Sequence, residues 1–167
     1  MPHWSRSHAL VSVAAVVMSA TPTGTATVKP APVVVFVCEH GSAKSLVASS
    51  LFQRMANEKG LAARAISRGT DPDASVPPAV VEALRADGFD VAAFRPRALT
   101  SADVAGAARV VAIGVDLGPL GAKAGPRAVR WDDVPPVSTN YPDARRDLVA
   151  RIERLLEELR TPARARR

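Results

Sequence analysis

Apolar and polar positions change period several times along the chain, and each change marks an element. Val33-Val-Val-Phe-Val37 is an unbroken run dominated by β-branched residues, the pattern of a strand buried on both faces. From Ser45 to Lys59 the spacing becomes helical: Val47, Leu51 and Met55 form one stripe, Ala48 and Phe52 lie beside it, and Gly60 closes it. Arg64 to Ser67 is a short candidate strand, and Arg68 to Ser75 reads as loop. Pro77 to Asp87 is a predicted helix with proline at its start, Gly88 just past its end and Val80, Val81 and Leu84 as its apolar stripe. Thr100 caps a short predicted helix over Ser101 to Ala107, and Arg109 to Val115 is the second strong buried strand. Leu117 to Pro126, rich in Gly and Pro, reads as loop, Ala128 to Trp131 as a last edge strand and Asp132 to Tyr141 as loop. The final helix is expected from about Pro142 to Leu159, with Ala144, Leu148, Ile152, Leu155, Leu156 and Leu159 on one face. Strands alternating with helices predict an α/β protein: an open parallel sheet with helices on both faces.

The 167 residues are enough for one such domain plus tails, and no internal repeat or second domain is visible. Aromatics are only 4%, so aliphatic side chains and Ala must fill the interior. The formal charge is +6, but all sixteen acids lie between Glu39 and Glu158. Setting aside the first twenty residues (one Arg) and the last eight (four Arg) leaves 17 basic against 16 acidic groups. The body is nearly neutral, and no nucleic-acid partner is expected. Arg6 and His8 precede an apolar stretch, Ala9 to Met18, that is too short to span a bilayer. Residues 1–20 thus read as a signal peptide, with an exported (periplasmic or secreted) mature protein as the consequence. A misassigned start and a retained anchor are the other readings, and without a signal the protein is cytoplasmic. Residues 21–32 read as a linker, 33–159 as the domain and 160–167 as a basic disordered tail.

The chemistry concentrates in Val37-Cys38-Glu39-His40-Gly41-Ser42-Ala43-Lys44-Ser45-Leu46, which leaves the first strand and opens the first helix. In an open parallel sheet that turn lies at the carboxyl edge, where ligands bind. Successive backbone N–H groups and a helix N-terminus there form a concave anion site. The same groups favour the thiolate form of a cysteine placed at the loop's start. Lys44 can return its charge to the site, Ser45 can donate a hydrogen bond to sulfur, and Gly41 permits the positive φ that a tight wrap needs. Glu39 is expected to point outward, since an inward carboxylate disfavours the thiolate. His40 is read as a hydrogen bonder that stabilises the loop, or as a catalyst. Cys38 is the only cysteine, which rules out an intramolecular disulfide and a two-cysteine relay; no metal or cofactor is implied.

The spacing Cys-x5-Lys-Ser, placed after the first strand, resembles the Cys-x5-Arg-Ser/Thr loop of the low-molecular-weight protein tyrosine phosphatases and the arsenate reductases built on that fold. Ser67-Arg-Gly-Thr70 resembles the family's Ser-Ala-Gly-Thr, and the element order agrees over about residues 33 to 159. The resemblance implies a flavodoxin-like three-layer sheet of about four parallel strands, order 2-1-3-4. It implies Cys38 as nucleophile, with Glu39, His40, Gly41, Ser42, Ala43, Lys44 and Ser45 as the oxyanion loop. The family's general acid is an Asp in a late loop before Pro; here the candidates in Trp131-Asp-Asp-Val-Pro-Pro136 are Asp133, favoured, and Asp132. Trp131 is expected to pack the base of that loop or wall the pocket.

Lys44 departs from the family. Arg grips two phosphate oxygens with a planar fork, whereas Lys is a point charge on a flexible stem. The chain uses Arg for 18 of its 22 basic residues, so Lys44 is not a compositional habit. The leading expectation is a cysteine-dependent hydrolase of a phosphate monoester, protein phosphotyrosine among the candidates, acting through a phosphocysteine. The alternatives are a phosphate- or oxyanion-binding module without turnover, an arsenate reductase resolved by an external thiol, and a redox-sensing thiol. Arg68 is read as a further pocket cation or a solvated loop residue, and Tyr141 as packing at the last helix or a substrate wall. The sequence is silent on oligomeric state.

Overall fold

The computed structural model describes residues 30–161. The predicted signal segment, most of the linker and the tail beyond Thr161 lie outside the described residues. Four strands, β1 (Val33–Cys38), β2 (Arg64–Gly69), β3 (Ala107–Ile113) and β4 (Ala128–Trp131), form one parallel sheet in the order β2-β1-β3-β4. Five helices connect and cover them: α1 (Lys44–Glu58), α2 (Pro78–Ala86), α3 (Ser101–Gly106), α4 (Pro119–Ala124) and α5 (Tyr141–Arg160).

The alternation of side chains along a strand divides the core in two. Val34, Phe36, Val111 and Ile113 face one side, where Val47, Leu51 and Phe52 of α1, Val80 and Leu84 of α2, and Leu148, Ile152 and Leu156 of α5 cover them. Val35, Val37, Val110 and Ala112 face the other, under Val104, Leu117 and Ala124 around α3 and α4. This is the three-layer α/β arrangement the pattern implied. The scarce aromatics are pooled: Phe36 meets Phe52 and Trp131 at ring-centroid distances of 5.7 and 5.8 Å.

Several boundaries differ from the sequence reading; β2 runs on past Ser67 to Gly69, and β3 stops at Ile113. Residues 119–124, expected as loop, form α4, started by Pro119 and bracketed by Gly118 and Gly125 at φ 52° and 55°. β3 begins at Ala107 directly after α3, with no connecting loop. α5 starts at Tyr141 because Asn140 caps it, its side chain accepting from the Asp143 N–H.

Asp87, at the end of α2, ties three helices together. Its carboxylate accepts from Arg145 Nε at 2.7 Å and from the Tyr141 hydroxyl at 2.9 Å, and Arg54 of α1 lies 3.4 Å away. Tyr141 is therefore a packing and tethering residue. Burial, then the Asp87 carboxylate, push its phenol up to about 12. Burial acts to raise the Asp87 carboxyl, but hydrogen bonds from Arg145 and Tyr141 with the charges of Arg145 and Arg54 outweigh it and hold it below the usual carboxylate range.

A carboxyl depressed on folding stabilises the fold above its unfolded value and loses that contribution as pH falls through the folded one. The stability difference between wild type and Asp87→Asn, from denaturant unfolding, is therefore expected at full size above about pH 4 and to shrink in more acid solution. Leu148→Ala, at a fully buried position on α5, is expected to cost about 2–5 kcal/mol in the same measurement.

Candidate active site

The carboxyl ends of β1, β2 and β3 converge on one edge of the sheet, with β1 and β3 at the point where the strand order reverses. Cys38 ends β1 opposite Gly69 of β2, and the loop from Glu39 to Ala43 leads straight into α1.

The loop is pinned from one side. The carbonyls of Cys38, Glu39 and His40 accept from the N–H groups of Thr70 (3.1 Å), Asp71 (2.9 Å) and Asp73 (3.0 Å). The carbonyl of Gly41 lies 3.1 Å from the Ser67 hydroxyl. All peptides among the described residues are trans, so each plane that sends its C=O toward β2 sends the N–H of the next residue the opposite way. The amides of Glu39, His40, Gly41 and Ser42 are thereby turned from β2. Among the described residues, those of His40, Gly41 and Ser42 have no backbone acceptor. α1 adds its own N-terminal amides, because Ala43 at its N-cap offers no side-chain acceptor.

Two glycines allow the approach. Gly41 has φ +66°, and a Cβ there would lie 2.7 Å from the Gly69 backbone nitrogen. A Cβ on Gly69 would lie 2.9 Å from the Glu39 carbonyl oxygen and from Gly41 N. The two backbones touch, and neither tolerates a side chain.

Cys38 Sγ is buried, 3.0 Å from Ser45 Oγ. Ser67 Oγ lies 2.9 Å from Ser45 Oγ and 3.1 Å from Gly41 O; where it donates to Ser45, the Ser45 proton is left for the sulfur. All three groups are buried, and the sulfur faces a hydroxyl. Lys44 opens α1, and its Nζ would lie 3.5 Å from a Cβ on Gly114, the φ +62° residue that follows β3. Among the described residues no carboxylate is within ion-pair distance of Lys44, which leaves its charge available to an anion.

A cavity of about 170 Å³ opens over Cys38, lined also by Glu39, His40, Ala43, Lys44, Gly114 and the segment Pro136–Ser138. It has room for a phosphoryl-sized group and a few waters, each occupying about 30 Å³. A larger cleft of about 680 Å³, beside Gln53, Phe89 and Phe94, shares no residue with it. Ser42 is turned inward, its hydroxyl on Asp73. Glu39 is exposed, as expected, and points its carboxylate toward the His40 ring at 3.7 Å.

The late loop delivers something other than its aspartates. Asp133 is held 2.7 Å from Arg151 and is 82% exposed, and Asp132 is held 2.8 Å from Arg130; neither lines the cavity. Pro136, Val137 and Ser138 do. Trp131 is buried against Phe36, at the loop's base. Arg68 does not line the Cys38 cavity: it borders the larger cleft and forms a two-pronged pair with Asp103 at 2.9 and 3.0 Å. Ser67 and Gly69 were visible only as part of a motif. Asp73, Val137 and Ser138 carried no local signal, because only the fold brings them to the loop.

A family model described as low molecular weight phosphotyrosine protein phosphatase matches residues 33–116. The chain belongs to this family. Solved structures of similar fold include a low molecular weight protein tyrosine phosphatase from T. tengcongensis (22% identity, TM-score 0.66, covering 77% of this chain and 99% of that one). The arginine phosphatase YwlE from Geobacillus stearothermophilus is similar at 20% identity and TM-score 0.65, over 77% and 93% of the two chains. A thioredoxin-dependent arsenate reductase from Corynebacterium glutamicum matches at 22% identity and TM-score 0.63, over 80% of this chain and 64% of that one. No curated protein matches the chain. At these identities the structural likeness is one of fold. Together with the family match it marks a cysteine-phosphatase-like protein.

In this family member the Gly41–Gly69 contact is expected to be indispensable. Gly41→Ala should cost about 2–4 kcal/mol, combining left-handed strain with a backbone clash. Gly60→Ala, also at positive φ but with open space around it, should cost about 1–2 kcal/mol. Urea unfolding of the two variants beside wild type measures the difference.

Proposed function

We propose that the protein hydrolyses a phosphate monoester at Cys38 through a phosphocysteine intermediate. The observation that carries this reading is the buried Cys38 Sγ, 3.0 Å from the Ser45 hydroxyl, beneath a cavity lined also by Lys44 and by Glu39, His40 and Ala43 of the loop. The Cys38 thiolate attacks phosphorus as the ester P–O bond breaks. The amides of residues 40–42, the α1 N-terminus and Lys44 stabilise the equatorial oxygens. Water then cleaves the S–P bond and releases phosphate. Protein phosphotyrosine is the substrate class that the family's description names, and it supports an aryl ester as first probe. The single cysteine confines any arsenate reduction to a route using an external thiol.

A second reading, oxyanion binding without turnover, draws on two observations. Lys44 lacks the fork of Arg, and Asp132 and Asp133 are committed to arginines away from the cavity. Aryl-phosphate hydrolysis and calorimetric phosphate binding separate the two. Cys38→Ser is expected to abolish turnover while phosphate affinity stays within a few-fold. Lys44→Arg is expected to raise kcat by about 10–10²-fold, the scale of one preorganised donor. Phosphate binding by a wild type that releases no product from any aryl ester would favour the second reading.

A further inference from the structure

We infer that His40, held by Asp73, donates the proton to the leaving group of the reaction at Cys38. The inference rests on the hydrolase reading. Of the ionisable side chains lining the cavity, Cys38 is the nucleophile and Lys44 the oxyanion cation, which leaves Glu39 and His40. Glu39 is two-thirds exposed, beside the His40 ring. The late-loop aspartates are elsewhere, and the hydrogen bond and charge of Arg151 hold Asp133 below the usual carboxylate range.

The backbone of His40 is fixed, and its half-exposed ring stands within ion-pair distance of Asp73. Its carbonyl accepts from the Asp73 N–H at 3.0 Å, and its Nδ1 lies 3.4 Å from Asp73 Oδ1. The other carboxylate oxygen of Asp73 takes the hydroxyl of buried Ser42, so the carboxylate is fixed by its own loop and by the Cys38 loop together. A carboxylate on one ring nitrogen orients an imidazole and balances its positive charge, leaving the other nitrogen to exchange a proton. That nitrogen, Nε2, lies 3.7 Å from the exposed Glu39 carboxylate.

In the first step the Cys38 thiolate forms the S–P bond, the ester P–O bond breaks, and the Nε2 proton of the imidazolium passes to the departing oxygen, giving the free alcohol or phenol and neutral His40. In the second, water attacks phosphorus, its proton returns to Nε2, and the S–P bond breaks to regenerate thiolate and phosphate. Asp73 is a positioning residue.

The test compares phenyl phosphate, whose leaving group needs a proton, with 2,4-dinitrophenyl phosphate, whose leaving group does not. His40→Asn is expected to lose about 10²-fold in kcat/KM on the first and little on the second. Added imidazole should restore part of the loss, and calorimetric phosphate binding reports that the variant is folded. Asp73→Asn should show a smaller loss with the same dependence on leaving group. An equal effect of His40→Asn on both esters overturns the inference while leaving the hydrolase reading intact. So does a leaving-group-dependent loss in Asp133→Asn. Absence of Cys38-dependent turnover with either ester overturns both.

Discussion

The site depends on a one-sided restraint. Four consecutive carbonyls, from Cys38 to Gly41, are drawn toward β2 and the segment that follows it, and trans peptide geometry turns the intervening amides the other way. The restraint needs the β1–β2 register that sets Cys38 beside Gly69, and it needs two glycines so that the backbones can touch. The hydroxyl chain from Ser67 through Ser45 to Cys38 is part of the same construction. The segment that closes the anion site thus also orders the hydroxyl facing the sulfur.

Around that frame the electrostatics are asymmetric. Positive character comes from amides, a helix end and one flexible ammonium, while nearby arginines are spent on structure: Arg68 on Asp103, Arg151 on Asp133 and Asp147, Arg145 on Asp87. Backbone dipoles therefore carry more of the burden than in a site built around a guanidinium fork. Such dipoles cost no reorganisation when charge develops on a bound group, but they do not grip two oxygens in one plane.

Much of this was legible in the chain. The unbroken run at Val33–Val37 and the period change after Ser45 place Cys38 at a strand-to-helix turn, and the loop residues follow from that position. What the sequence hid was of two kinds. Local pattern misled at residues 119–124, where Gly and Pro punctuate a helix instead of replacing it, and at Ala107, where a helix passes into a strand without a turn residue. Distant pairing was invisible: nothing around Asp73 signals that it meets His40, thirty-three positions earlier. Nothing in Trp131-Asp-Asp-Val-Pro-Pro136 signals that arginines on β4 and α5 claim both aspartates. Motif spacing identifies the nucleophile's loop because that loop is contiguous. It is weaker for groups delivered by other segments, whose orientation is settled by competing ion pairs.

The Asp87 tether bears on how the chain acquires this structure. Its partners Arg54, Tyr141 and Arg145 lie 33, 54 and 58 positions away, and α5 covers much of one face of the sheet. The stretch matched by the family model ends at residue 116, before β4 and α5. That stretch holds the whole Cys38 loop yet cannot bury Phe36, Val111 and Ile113 alone. During synthesis the loop emerges early and remains without its backing until the last helix leaves the ribosome and docks. The most recognisable part of the chain is in this sense the last to become a site.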